Sequence, residues 1–211
     1  MLAHGRSSED RASAILCSCP AAGKQELRPE KPGATTIEAP RFPRVIEDEP
    51  ELAGLGQAWL EHAKPLWSGG GERAPRVELT PDLQQALTSA QLAKRLVRGL
   101  EGAEQVLAGQ ARGLAQVDRR TGVERGGRVS RLLIVADDGS ERFYRSVATL
   151  LARHAPRVLA LRLAADEATL GSACFGAGQV ARALLLDHKD AVSQALVAAA
   201  FQWGVAEGED E

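Results

Sequence analysis

The sequence has too few cysteines for a disulfide framework: three in 211 residues, at 17, 19 and 174, so one is left without a mate. Cys17 and Cys19 stand in C-S-C, one residue short of the C-x-x-C spacing by which two thiolates share a tetrahedral zinc, and no second pair follows. The four histidines, at 4, 62, 154 and 188, make no i,i+4 pair. Metal chemistry is therefore not expected. No apolar run reaches the ~18 residues that span a bilayer. The opening MLAHGRSSEDRASAILCSC also lacks a secretory apolar stretch, so a cytoplasmic protein with no membrane partner is expected. Catalytic signatures are equally scarce. There is no G-x-S-x-G elbow and no G-x-x-x-x-G-K-[ST] loop, and GAG at 176–178 precedes a strand instead of opening a helix. Cys174 falls in an apolar stretch, where a small buried hydrophobe is its default role. A non-enzymatic protein with no cofactor and no small-molecule substrate is the expectation.

Neither charge sign dominates: 26 basic residues face 28 acidic ones. Their distribution says more. Residues 91–131 carry 9 basic and 4 acidic groups, a local net of +5, whereas residues 132–211 carry 7 and 11, a net of −4. A cationic stretch without a long apolar face suits a polyanion better than a membrane. The hydrophobic share of 44% is enough for a real core.

Six of the ten prolines lie at 20, 29, 32, 40, 43 and 50. Residues 1–75 accordingly read as an irregular or disordered region with one short helix carrying Leu52, Leu55, Trp59 and Leu60. Thr80-Pro81-Asp82 is a helix start, and Leu83, Leu87, Ala90, Val97 and Leu100 follow at helical spacing. A break near Gly99 divides this run into two helices, the second stopping near Gly109, with 110–128 as an exposed loop or hairpin. Three apolar runs, SRLLIVA, RVLALRLA and VARALLLD, then alternate with helices capped by Ser140 and Asp166 and a last one over DAVSQALVAAAFQW. This alternation predicts an α/β fold over residues 80–205, a three-layer αβα sandwich with a small mixed or parallel sheet, ending in an acidic tail at 206–211.

LAKRLVRGLEGAEQVLAG resembles the start of the kink-turn RNA-binding ribosomal protein superfamily. The strand RLLIVADD, the strand VLALRLA, DEATLGSACFG, the strand ARALLLD and a closing helix follow in that family's order. The resemblance spans roughly 115–125 residues and rests on element order and short patterns. It implies a non-catalytic RNA-binding or ribonucleoprotein-assembly subunit with a ribosomal-protein-type sandwich. Carried over by position, the family's RNA-facing turn falls on Arg98, Gly99, Leu100 and Glu101, and its later contact loop on Leu170, Gly171, Ser172 and Ala173. Free amides at a helix start donate to phosphate oxygens, and an apolar loop beside them would hold an unstacked base. Lys94, Arg95, Arg98, Arg112, Arg119, Arg120 and Arg125 would supply the sequence-independent attraction. Kink-turn readers carry an asparagine–glutamate pair and a lysine in this turn, where the present chain has Glu101, Gly102 and Gln105. Further upstream, CSCPAAGKQELR loosely resembles a YlxR-type RNA-binding domain.

Two alternatives remain from the same residues. LLIVADD before an amphipathic helix resembles the opening of response-regulator receiver domains, with Asp137 and Asp138 as a magnesium-holding pair and Asp187 at the phosphoacceptor position. A receiver requires five parallel strands, the ribosomal-type fold a mixed sheet. The third possibility is a structural interaction subunit anchored by Trp59, Trp67 and Trp203.

Overall fold

The computed structural model describes residues 39–122 and 127–205. The C-S-C segment, Arg125 and the acidic end at 206–211 lie outside the described residues. The three apolar runs become strands as their composition requires: Arg131–Ala136, Val158–Leu163 and Ala183–Leu186. In chain order these are β4, β5 and β6, preceded by β1 (Ala63–Pro65), β2 (Arg73–Val77) and β3 (Leu96–Arg98). They form one six-stranded sheet in the order β1-β2-β5-β4-β6-β3. β4 pairs parallel with β5 and antiparallel with β6, β2 pairs parallel with β5, and β3 pairs antiparallel with β6. The sheet is therefore mixed.

Helices cover both of its faces. They are α1 (Arg44–Glu47), α2 (Leu55–His62), α3 (Pro81–Leu92), α4 (Leu100–Thr121), α5 (Glu141–His154), α6 (Glu167–Phe175) and α7 (Lys189–Gln202). One apolar layer joins Leu83, Leu87, Leu170, Leu196 and the N-terminal Phe42, Ile46 and Trp59 to Leu132, Ile134 and Leu184 of the sheet. The other joins Ala103, Leu107, Val147 and Leu151 to Leu133, Val135 and Leu185. Alternate residues of β4 thus enter opposite layers, as a strand buried on both faces must. The result is an α/β three-layer sandwich.

Local chemistry starts the helices where the sequence places caps. The Thr80 hydroxyl accepts from the Leu83 N–H at 3.3 Å, Ser140 from Phe143 at 3.3 Å, and Asp166 from Thr169 at 2.7 Å. Hydrogen bonds from Thr169 also hold the Asp166 carboxyl below its ordinary pKa.

Three expectations change. Residues 39–75, read as irregular but for one short helix, supply β1, the start of β2 and part of the core as well as α2. Pro75 and two arginines interrupt β2, yet Ala74 and Val77 are buried, and only the pairing with β1 and β5 makes the segment a strand. The residues around Val97, read as helix, form β3, because Lys94 (φ 56°) and Gly99 (φ 81°) turn the chain on either side of it. The second helix passes Gly109 and ends only at Gly122, whose φ of 63° closes it in the left-handed region. The expected loop at 110–128 is mostly helix.

Cys174 is 6% exposed, and burial pushes its thiol up to about 11. At pH 8 about one thiolate in a thousand would exist there, so its nucleophilicity is suppressed. With Cys17 and Cys19 replaced by serine, alkylation of the native protein should be on the order of a hundredfold slower than for an ordinary exposed thiol, and urea should restore the ordinary rate. Equal rates in both states would refute the burial.

Candidate nucleic-acid interface

The candidate site begins where β3 turns into α4. Gly99, at positive φ, makes that turn without a connecting loop, and its N–H donates to the Ala183 carbonyl at 2.8 Å. No side chain caps α4, whereas Thr80, Ser140, Asp166 and His188 cap α3, α5, α6 and α7. The first-turn amides of Leu100 and Glu101 thus lack a side-chain acceptor at the positive end of a 22-residue helix.

Arg98 links this start to the segment that follows α6. Its Nη1 donates to Gln179 Oε1 at 3.0 Å, its Nη2 donates to the Val180 carbonyl, and its guanidinium lies 5.3 Å from the Phe175 ring centroid. None of these partners is a carboxylate, so among the described residues the positive charge is held in place without an ion pair. Gly176–Val180 is exposed throughout, with positive φ at Gly176 (95°) and Gly178 (78°). The α4 start and the α6 region therefore stand side by side.

The expected contact loop at Leu170–Ala173 is not a loop. The Asp166 cap begins α6 four residues earlier, which places these positions on its second turn. Leu170 is fully buried, Gly171 is pressed against Gln179 and Val180, Ala173 is half-buried, and Ser172 alone is exposed. The exposed loop lies one turn later, at 176–180.

The cationic residues divide between the two ends of the sheet. Because β3 pairs Arg98 with Leu184 and Leu96 with Leu186, Arg98 sits at the end where β6 begins, and Lys94 and Arg95 at the end where it finishes. Arg112, Arg119 and Arg120 are exposed on the far half of α4, at that second end, and Arg95 is paired with Asp190 at 3.3 Å. Only Arg98 and Glu101 of the charged candidates border Gly99. A single convergent basic surface is not formed.

Other arginines, missed in the sequence, occupy the Gly99 end. Arg76 meets Asp137 at 3.1 Å, Arg162 also pairs with Asp137, and Arg182 meets Glu167 at 2.6 Å and Asp138 at 3.9 Å. Asp138 further accepts from the Glu167 N–H at 3.2 Å. The Tyr144 hydroxyl donates to the Ala136 carbonyl at 2.8 Å, and burial raises its pKa against the Arg162 guanidinium 5.0 Å from its ring. Asp137, at the end of β4, thus clamps β2 and β5 to it, while Asp138 ties Arg182 to the start of α6. The signal was present: Arg162 interrupts an otherwise apolar strand, which demands a partner.

Antiparallel β6 separates the receiver-like residues. It pairs Leu186 with Leu132, so Asp187 emerges beside the start of β4, where Arg131 meets it at 2.6 Å. Asp137 and Asp138 follow the other end of β4. The acid pair and the supposed phosphoacceptor cannot share one site. Among the described residues no group of three or more His, Cys, Asp or Glu is placed to hold a metal ion. Nor are the tryptophans set out as anchors: Trp59 is buried and meets Phe42 and Trp203 edge-on at 5.9 Å, and Trp67 packs on Gly70. Among the described residues no helix is long and apolar enough to cross a membrane.

No family model matches the sequence, and no curated protein does. Among solved structures it is similar to a protein of unknown function from Bacillus halodurans, at 16% identity and a TM-score of 0.38, over 57% of this chain and 97% of that one.

Proposed function

We propose that this protein is a non-catalytic RNA-binding or ribonucleoprotein-assembly subunit that contacts structured RNA around the start of α4. One observation carries the reading: the uncapped, glycine-led helix start lies against the exposed Gly176–Val180 segment, with Arg98, in no ion pair among the described residues, between them. Anionic oxygens are favoured at such amides by both hydrogen bonding and the helix dipole. The Arg98 guanidinium adds a planar donor for phosphate or a base edge. The mixed sheet supports the same reading. With Glu101, Gly102 and Gln105 in the turn, the target is structured RNA in general and not the kink-turn, because an acidic acceptor replaces the amide expected there.

Filter binding to a structured RNA across a salt series tests this. The wild-type affinity should fall as salt rises, and Arg98→Ala should weaken binding and lower the salt slope by about 1. No binding at low salt, or an affinity indifferent to salt, would overturn it.

A further inference from the structure

Among the described residues, the far half of α4 contributes no fully buried side chain to the core. The helix is about 33 Å long at ~1.5 Å per residue, and its buried residues, Ala103 and Leu107, both lie in its first half. Gln110 marks where the sheet ends: its amide donates to Asp187, and its Oε1 accepts from Arg131 Nε at 3.1 Å. Beyond it the helix runs on to Thr121. Gly113 in this stretch weakens it by about 1 kcal/mol relative to alanine, with no burial to offset the loss. A helix extended past its support in this way presents side chains.

Those side chains are cationic on one face. At about 100° per residue, Arg112 and Arg119 lie within about 20° of each other, Gln116 about 40° and Arg120 about 80° from Arg112. The one carboxylate between Ala111 and Thr121, Asp118, projects about 120° away from Arg112 and is already engaged. Arg112, Arg119 and Arg120 are exposed and make no ion pair among the described residues, unlike Arg76, Arg95, Arg131 and Arg162. Exposed Lys94 borders the same end, because the neighbouring Arg95 carbonyl accepts from the N–H of the Asp187 that Gln110 holds. The helix dipole accounts for Arg119 and Arg120 in the last turn, but not for Arg112, two turns earlier on the same face. That face carries no large exposed apolar side chain, which a membrane or an apolar protein groove would require.

We infer that the overhanging half of α4 is a second phosphate-contacting surface, about 20–30 Å along the helix from the Gly99 end, so that one structured RNA is held at both ends of α4. This rests on the RNA reading above. The test is filter binding of two hairpins, one with a stem of about 16 base pairs, the span double-stranded-RNA readers cover, and one of roughly half that length. The proteins are wild type, Arg112→Gln/Arg119→Gln/Arg120→Gln, and Arg142→Gln as an exposed control on α5, with helicity checked by circular dichroism. The triple variant should lose at least about tenfold in affinity for the long stem, with a salt slope lower by about 3. On the short stem it should match wild type, and the control should match on both. If wild type binds neither stem, the RNA reading itself fails. If wild type binds and the triple variant equals it on the long stem, this inference alone fails. Equal losses on both stems overturn the two-ended arrangement.

Discussion

Gly171→Ala is expected to destabilise the protein by about 2 kcal/mol, although alanine is the better helix former. An added Cβ would lie 2.5 Å from the Val180 Cα and 2.6 Å from the Gln179 carbonyl carbon, and closer still to that carbonyl's oxygen. Backbone atoms cannot swing aside as a flexible side chain can. The opposing segment is also pinned, since the Ala181 N–H donates to the Glu167 carbonyl at 2.8 Å and Arg98 grips Gln179 and Val180. Overpacking of this kind costs about 1–3 kcal/mol, and displacing the segment forfeits a hydrogen bond of about 1 kcal/mol, against a propensity gain of about 1 kcal/mol. Gly109→Ala supplies the opposite sign. Nothing lies within 4 Å of a Cβ there, so the same exchange on exposed α4 should stabilise by up to about 1 kcal/mol. Urea midpoints at unchanged slope would read both. Two substitutions shifting the midpoint in the same direction would refute the close approach. RNA affinity should fall with Gly171→Ala and hold with Gly109→Ala, because only the first disturbs the segment against Arg98.

That segment also marks how far the sequence could lead. From Arg131 onward the runs are apolar but for Arg162, and the helices after β4 and β5 open on Ser140 and Asp166, so composition and local hydrogen bonding agree and the alternation is legible. Strand direction is not written in an apolar run. β6 runs antiparallel to β4, and that direction carries Asp187 to the opposite end of the sheet from Asp137. β2 was illegible because Pro75 and its arginines hide a strand that exists only through its neighbours. Lysine is no turn signal, so the left-handed Lys94 that releases β3 from the preceding helix could not be foreseen. At the site, the glycine-led start of α4 was legible from Gly99, and the contact loop was placed one turn early. The cap at Asp166 was seen, but its consequence for Leu170 and Gly171 was overridden by the position-by-position match. A net charge along the chain does not stay together in space, since a 22-residue helix carries Arg119 far from the residue where it begins.

Ile134→Ala should cost about 3–4 kcal/mol, the largest loss foreseen here from a simple truncation. Ile134 is fully buried at the centre of β4, which β5 and β6 flank, in register with Leu161 on one side and Leu184 on the other. Its side chain enters the layer shared with Leu83, Leu87 and Leu196, where strands fix the floor and helices the roof, so the vacated volume cannot collapse easily. Val117→Ala removes a smaller side chain from the overhanging half of α4, where Val117 is 47% exposed, and should change stability by no more than about 0.5 kcal/mol. The pair is more informative than either alone. If Val117→Ala lost more than about 1 kcal/mol, the far half of α4 would be part of the folded core, and its length would need no ligand to explain it. If it is neutral while Ile134→Ala is severe, Val117 stands outside the folded core, as its exposure requires.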